Sequence, residues 1–112
     1  GLVNPSLHEV AVQSGIPGKM EVDGNAVARL WLDGELEKIV QYNEYDALTT
    51  YLVWLRVAHF AGHFSQDAYA EEQQRVADLI LAEIEGVRPH LRTYLDEWQR
   101  LREMVAAREQ EL

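Results

Sequence analysis

Tyr42 and Asp46 are the residues of this chain whose types and spacing first suggest chemistry. Residues four apart on a helix share one face, so the Tyr42 phenol is stacked over the Asp46 carboxylate. An unpaired carboxylate at the edge of an apolar core is costly, which suggests that it is kept for a purpose. The spacing alone is also common in helical proteins, where the tyrosine packs and the aspartate is solvated or caps a neighbour.

The pair lies near the start of the predicted central helix, which runs from Glu35 to about Phe60. The second half of this segment is apolar on nearly every side: Leu48, Tyr51, Leu52, Val53, Trp54, Leu55 and Val57. A helix that is apolar all round is a buried helix. We expect Leu36, Ile39 and Val40 to add core contacts near its start.

Two shorter helices are predicted before the central one. Ser6 and Glu9 form a capping box for a helix from Leu7 to about Ser14, and Gly15 ends it. After a loop rich in proline and glycine, a second helix is expected from Asn25 to Leu32. It should bury Val27, Leu30 and Trp31.

Two longer helices are predicted after the central one. Ser65 caps a helix from Gln66 to about Glu85, whose expected buried side is Tyr69, Val76, Leu79, Ile80 and Ile84. Pro89 suits the first turn of the last helix, whose apolar seam is Leu91, Tyr94, Trp98, Leu101 and Val105. This seam packs either on the preceding helix, as a hairpin, or on a second copy of the chain. The short connection favours the hairpin.

The sequence therefore predicts an all-α fold of four to five helices. A chain of 112 residues with 47% hydrophobic content is one domain with its own core. We predict a single helical unit over residues 1–112, divided into a first part over 6–62 and a helical hairpin over 65–112.

Composition restricts the classes of function. A net charge of −9 argues against a free-standing nucleic-acid binder with a broad basic surface, although a metal-dependent nuclease has an acidic site. Without cysteine the chain forms no disulfide, and we expect a cytoplasmic location. No apolar run reaches the ~18 residues of a membrane span, and residues 1–20 carry no signal-peptide pattern.

Several segments, in this order, resemble one known family: residues 6–11, 15–19, 22–24 and 37–56. It comprises bacterial predicted 3′–5′ exonucleases related to the proofreading domain of family B DNA polymerases. These are DnaQ-like, or DEDD, enzymes on a ribonuclease-H-like α/β fold. The resemblance extends to about Gln74, with a further similar stretch from Pro89 to Trp98.

The resemblance assigns a role to both residues of the pair. The third exonuclease motif of the family is Tyr-x-x-x-Asp, which falls here on Tyr42 and Asp46. It implies that Asp46 binds a divalent metal, Mg²⁺ or Mn²⁺, in a two-metal site, and that Tyr42 orients the attacking water. The implied substrate is the 3′ end of single-stranded DNA or RNA.

The chain also departs from the family. The acidic residues of the first two motifs lie on the family's sheet, and no strand is predicted here. Asp33-Gly34-Glu35 has the letters of the first motif but lies at a helix break, where we interpret it as a cap. We therefore expect the C-terminal helical part of such an exonuclease, inactive alone.

A second, non-catalytic hypothesis is a helical interaction module that retains the motif. Without the sheet, apolar helix faces would be uncovered, and self-association is expected.

Two other sets of residues have a functional and a structural interpretation. His59 and His63 have a spacing that can bind a metal, but two ligands are too few, and a polar helix end is the favoured interpretation. Lys19 is either a phosphate contact or, more simply, a solvated loop lysine.

Overall fold

A computed structural model describes residues 7–18, 28–29 and 31–111 of the chain. Within these residues there are four helices and no strand: α1 (Leu7–Gln13), α2 (Leu36–Phe60), α3 (Gln66–Glu85) and α4 (Leu91–Glu111). Residues 28, 29, 31 and 32 are helical as well. The predicted all-α class is confirmed. None of the described helices is both long and apolar enough to cross a membrane.

Glycine and serine set the helix ends as predicted. Gly15 follows α1 with a φ of 77°, a conformation that favours glycine. A Cβ there would also meet Val105 Cγ2 of α4 at 3.2 Å, so the turn approaches α4 closely. The Ser65 hydroxyl accepts a hydrogen bond of 3.1 Å from the Ala68 amide and caps α3. The predicted cap at Ser6 lies outside the described residues.

One buried cluster joins the helices. It draws on α1, the turn after it, α2, α3 and α4: Ala11, Ile16, Tyr45, Leu52, Val76, Ile80, Leu91, Tyr94, Leu95 and Trp98. The largest share comes from α4, whose predicted seam is buried from Leu91 to Leu101. That seam lies in the same cluster as α3 side chains of its own chain. The predicted division at residues 62 and 65 stays a prediction.

Only one side of α2 is buried, so the expectation of a helix buried all round is wrong. Tyr45, Thr49 and Leu52 face the core, whereas Trp54 and Val57 on the other side are 55% and 57% exposed. A helix surrounded by water on one side can bury one face only. The apolar residues of the second half exceed what that face can hold.

Other residues expected in the core are exposed for the same reason. They lie on faces that no described element covers: Trp31 at 66%, Leu36 at 57%, Val40 at 48% and Leu79 at 50%. Val27 and Leu30 lie outside the described residues. Apolar character indicates that a face can be buried, but a packed neighbour is needed to bury it.

The Thr49 hydroxyl joins three segments inside the core. It donates a hydrogen bond of 2.7 Å to the Pro17 carbonyl, and it lies 2.9 Å from the Tyr94 hydroxyl. Because a hydroxyl has one proton and the Pro17 carbonyl takes it, the Tyr94 hydroxyl donates to Thr49. All three residues are buried, so this chain of bonds fixes α2 against both α4 and the turn after α1.

A second polar contact links α2 to α3 at the surface. The Tyr51 hydroxyl donates to Glu72 Oε1 over 2.7 Å, and the Arg75 guanidinium binds both oxygens of the same carboxylate. The hydrogen bond from Arg75, followed by the one from Tyr51, lowers the pKa of Glu72 from 4.5 to about 2. The carboxylate therefore stays ionised in the folded protein well into the acid range.

We predict that Thr49→Val lowers the free energy of unfolding by about 1–3 kcal/mol, because it leaves the Tyr94 hydroxyl and the Pro17 carbonyl buried without partners. Urea titration measures this difference. Thr93→Val, at an exposed position of α4, is the control and should change the value by less than about 0.5 kcal/mol. Equal stabilities of the two variants would contradict the role of Thr49.

The Glu72 contact predicts a specific acid sensitivity. Its folded pKa lies below the ordinary value, so its contribution to stability is fully present above about pH 4.5 and is lost as the pH falls towards 2. Between pH 7 and pH 3 the wild-type chain should therefore lose more stability than Glu72→Gln. The effect is small because the Arg75 side chain is 62% exposed.

Glu71→Gln provides the control for this experiment, since it removes an exposed carboxylate from the neighbouring position. Its pH dependence should follow that of the wild-type chain. An identical pH dependence of stability for Glu72→Gln and Glu71→Gln would show that the contact of Glu72 with Tyr51 and Arg75 does not contribute to stability.

Candidate active-site segment

Tyr42 and Asp46 lie one helical turn apart, on the same side of α2. Both side chains are half-buried, at the border between the core-facing side of the helix and solvent. The structure therefore places the predicted pair at the edge of the core. Because Leu36 starts the helix, the pair lies in its second and third turns, well away from a fraying end.

The core fixes this part of α2 on both sides of Asp46. The Tyr45 hydroxyl donates to the His90 carbonyl over 3.1 Å, and its ring is stacked on Tyr94 with centroids 6.0 Å apart. Three residues after Asp46, Thr49 makes the buried bonds to Pro17 and Tyr94. The Asp46 backbone is thus held between two anchored residues.

The negative charge of Asp46 acts on the buried hydroxyl of Tyr94. Burial raises the pKa of Tyr94 well above its usual value; the Thr49 hydrogen bond opposes this, and the negative charge of Asp46 adds to it. The phenol of Tyr94 therefore keeps its proton, as the direction of its bond to Thr49 requires.

Among the half-buried carboxylates of the described residues, Asp46 is the one that takes part in no ion pair. Among the described residues, the carboxylates in ion pairs are Glu35, Glu44, Glu72, Glu83 and Glu97. Glu44, on the same helix, lies 2.6 Å from Arg88 Nε and 3.3 Å from His90 Nε2. In this part of the chain Asp46 is thus a half-buried carboxylate whose charge is not neutralised by an ion pair.

The described residues do not by themselves build a metal site. They contain no group of three or more His, Cys, Asp or Glu side chains arranged to hold a metal ion. Asp46 contributes one carboxylate, and Tyr42 is not a substitute for the acidic ligands that a pair of divalent ions requires.

Asp33 and Glu35 do not supply the further acidic ligands that a metal site at Asp46 would need. Eleven residues of helix, about 16 Å, separate Glu35 from Asp46. Glu35 occupies the N-cap position of α2, yet its side chain makes no capping bond and instead lies 3.2 Å from Lys38 Nζ. The interpretation of this triplet as a cap at a helix break is therefore confirmed in position, with Glu35 at the N-cap and the break at Gly34, although no side-chain bond accompanies it.

Both ring nitrogens of His59, near the end of α2, lie within hydrogen-bonding distance of oxygen atoms that follow the helix in the chain. Nδ1 lies 3.0 Å from the Phe64 carbonyl and Nε2 lies 3.1 Å from Gln66 Oε1. The ring is stacked on Tyr69 with centroids 4.4 Å apart. His59 thus connects the end of α2 to the start of α3, in keeping with a polar helix end. His63 is exposed, and Lys19 lies outside the described residues.

Three residues around the pair were missed by the sequence interpretation. Thr49 and Tyr94 form the buried bond, and Arg88 joins Glu44 of α2 to Glu83 of α3. One signal was available: a threonine inside an apolar helical segment needs a partner for its hydroxyl. The partners lie 32 and 45 residues away, and spacing within one helix does not reveal them.

Comparison with known proteins gives one family and no individual relative. No curated protein matches the chain, and no solved structure matches it. A family model described as a predicted 3′–5′ exonuclease related to the exonuclease domain of PolB matches residues 1–98, which include all of α1, α2 and α3 together with the Tyr42–Asp46 pair. The chain belongs to this family of predicted 3′–5′ exonucleases.

Proposed function

We propose that this chain supplies the Tyr42–Asp46 part of the active site of a metal-dependent 3′–5′ exonuclease. The substrate would be the 3′ end of a single-stranded nucleic acid, and the reaction the hydrolysis of its terminal phosphodiester. The observation that carries the proposal is the uncompensated, half-buried carboxylate of Asp46 beside Tyr42, in a chain of this family.

Asp46 is proposed as a ligand for Mg²⁺ or Mn²⁺. Hard divalent ions prefer carboxylate oxygens, and in phosphodiester hydrolysis they stabilise the charge on the attacking and leaving oxygens. A ligand of this kind must keep its charge and its position. Tyr45 and Thr49 hold the backbone on either side of Asp46, and none of the ion pairs between described residues involves its carboxylate.

Tyr42 is proposed to orient the attacking water. Its hydroxyl, like that of Tyr69, makes no hydrogen bond to another described side chain, whereas those of Tyr45, Tyr51 and Tyr94 are bound within the fold. A phenol left unused by the fold, one turn from the carboxylate, can bind a water molecule on the same face of α2.

We propose that the chain is inactive alone and that an active domain adds the acidic residues of the first two motifs on a ribonuclease-H-like sheet. The reason is chemical, since Asp46 is a single carboxylate and two cations need several. For a cysteine-free chain, the cytoplasm is the proposed location.

The alternative is a non-catalytic helical interaction module. It is favoured by a specific feature, the exposure of large apolar side chains along α2, among them Trp54 at 55% and Phe60 at 73%. The two functions differ in what Asp46 does, because an interaction module does not need Asp46 to bind a metal.

We predict that Asp46→Asn, in an exonuclease domain that joins this segment to the first two motifs, lowers Mg²⁺-dependent trimming by more than about 100-fold. The loss follows because an amide is a weaker ligand for a hard cation. Release of nucleotides from a 3′-labelled single strand gives the rate. Asp96→Asn, at an exposed position of α4, should leave that rate unchanged, and equal rates for the two variants would refute the role of Asp46.

We predict separately that residues 1–112 alone release no nucleotide from the same DNA or RNA strand with Mg²⁺ or Mn²⁺. Trimming by the purified chain that Asp46→Asn abolishes would show that the isolated segment forms a complete site, against our proposal. Trimming that Asp46→Asn leaves intact would indicate a contaminating nuclease, and purification to constant specific activity distinguishes the two.

A further inference from the structure

A row of uncharged side chains on α2 faces solvent, opposite the buried face. Its members follow one another in steps of three and four residues and are called the α2 stripe: Val40, Asn43, Ala47, Thr50, Trp54 and Val57. All six are exposed. In a chain with 26% charged residues, an exposed helical row of this length without any charge differs from an ordinary solvated face.

Steps of three and four residues are the spacing by which two helices pack along a shared seam. We propose that the α2 stripe docks on the α2 stripe of a second copy of this chain, with the two helices antiparallel. The proposal rests on the shape and charge of α2 and does not depend on the nuclease activity.

The charges of α2 favour an antiparallel second copy. The first half of the helix carries Glu37 and Asp46, which are in no ion pair between described residues, besides Glu44, which is paired with Arg88. Its one lysine is Lys38, whereas Arg56 is the sole Asp, Glu, Lys or Arg of the second half. Antiparallel packing places each acidic half beside the half that carries the arginine. Parallel packing would place the two acidic halves together, which is unfavourable.

Side-chain size favours the same arrangement. In antiparallel register Val40 of one copy lies opposite Val57 of the other, Asn43 opposite Trp54, and Ala47 opposite Thr50. The small central pair lets the helices approach closely, and the largest side chain lies over a shorter one. In parallel register Trp54 would face Trp54 and Ala47 would face Ala47. The two large rings would then crowd each other, and the two small side chains would leave unfilled space between the helices.

The stripe is also long enough and contains a suitable anchor. A helix of 25 residues is about 37 Å long, and Leu36 extends the apolar side to its first residue with 57% exposure. Trp54, at 55% exposed, is the residue type that most often contributes the main binding energy of an interface.

Sedimentation equilibrium of residues 1–112 tests the proposal. We expect a monomer–dimer equilibrium that tightens as salt screens the net negative charge. Ala47→Glu, at the centre of the seam, should raise the dissociation constant about 100-fold by burying a carboxylate from each copy. Ala70→Glu makes the same change at an exposed position of α3 and should leave the constant unchanged.

The proposal is overturned if the wild-type chain is a monomer at the highest soluble concentration, or if the two glutamate variants associate equally. Circular dichroism of both variants must match the wild-type helix content, so that a loss of association is not a loss of folding.

Disulfide formation tests the orientation, because the chain contains no cysteine. Val40→Cys and Val57→Cys chains, mixed and oxidised, should form mainly the mixed disulfide in an antiparallel pair. A parallel pair would instead link each variant to itself, and that result would overturn the antiparallel arrangement.

Discussion

The hydroxyl of Thr49 is the contact on which the rest of this helical unit depends. It has one proton to donate and two lone pairs to accept with, and both kinds of bond are used inside the core. The bond to the Pro17 carbonyl fixes the turn after α1, and the bond from Tyr94 fixes α4. Because neither partner can reach water, any shift of α2 along its axis would leave buried polar groups unsatisfied. A small polar contact therefore sets the register of three segments that apolar packing alone would hold less specifically.

This register determines the electrostatics of the candidate site. The carboxylates of Glu72 and Glu44 are paired with Arg75 of α3 and with Arg88 of the turn between α3 and α4. The hydrogen bonds of Arg88 to Glu83 and then to Glu44 raise the pKa of its guanidinium, which stays a cation between two helices. Asp46, two residues after Glu44, takes part in none of the ion pairs between described residues. In a chain with net charge −9, it is the half-buried carboxylate of the described residues that is left without an ion pair.

The helix boundaries could be predicted from the sequence because their signals are local. Gly15, Ser65 and Gly86 end or start helices through their own backbone and side-chain chemistry. The buried face of each helix was less predictable. Trp54 and Leu79 are as apolar as their buried neighbours, and what decides their exposure is the position of other elements, which a helical period does not give.

The candidate site shows the same difference between local signals and contacts that are distant in sequence. Tyr42 and Asp46 could be selected as candidates because their motif lies within five residues of one helix and resembles a known family, and their roles stay predictions. The partners that position them could not, since Pro17 and Tyr94 are distant in sequence from Thr49 and the bonds are not periodic. The candidate pair could be selected from the sequence, whereas the contacts that hold its helix in place required the fold.

The two proposals for α2 place competing demands on one helix. Asp46 lies three residues after Asn43 and four before Thr50, so it borders the α2 stripe on the helix surface. The proposed acidic partners of the nuclease site would therefore have to approach α2 beside that stripe. In the antiparallel pair the second copy of α2 occupies that space and brings its apolar residue Val53 towards Asp46. A sheet carrying further carboxylates and a second copy of the chain therefore cannot bind this region together. It follows that pairing through the stripe belongs to the helical unit alone, and that a complete two-metal centre requires the stripe to be free of a second copy.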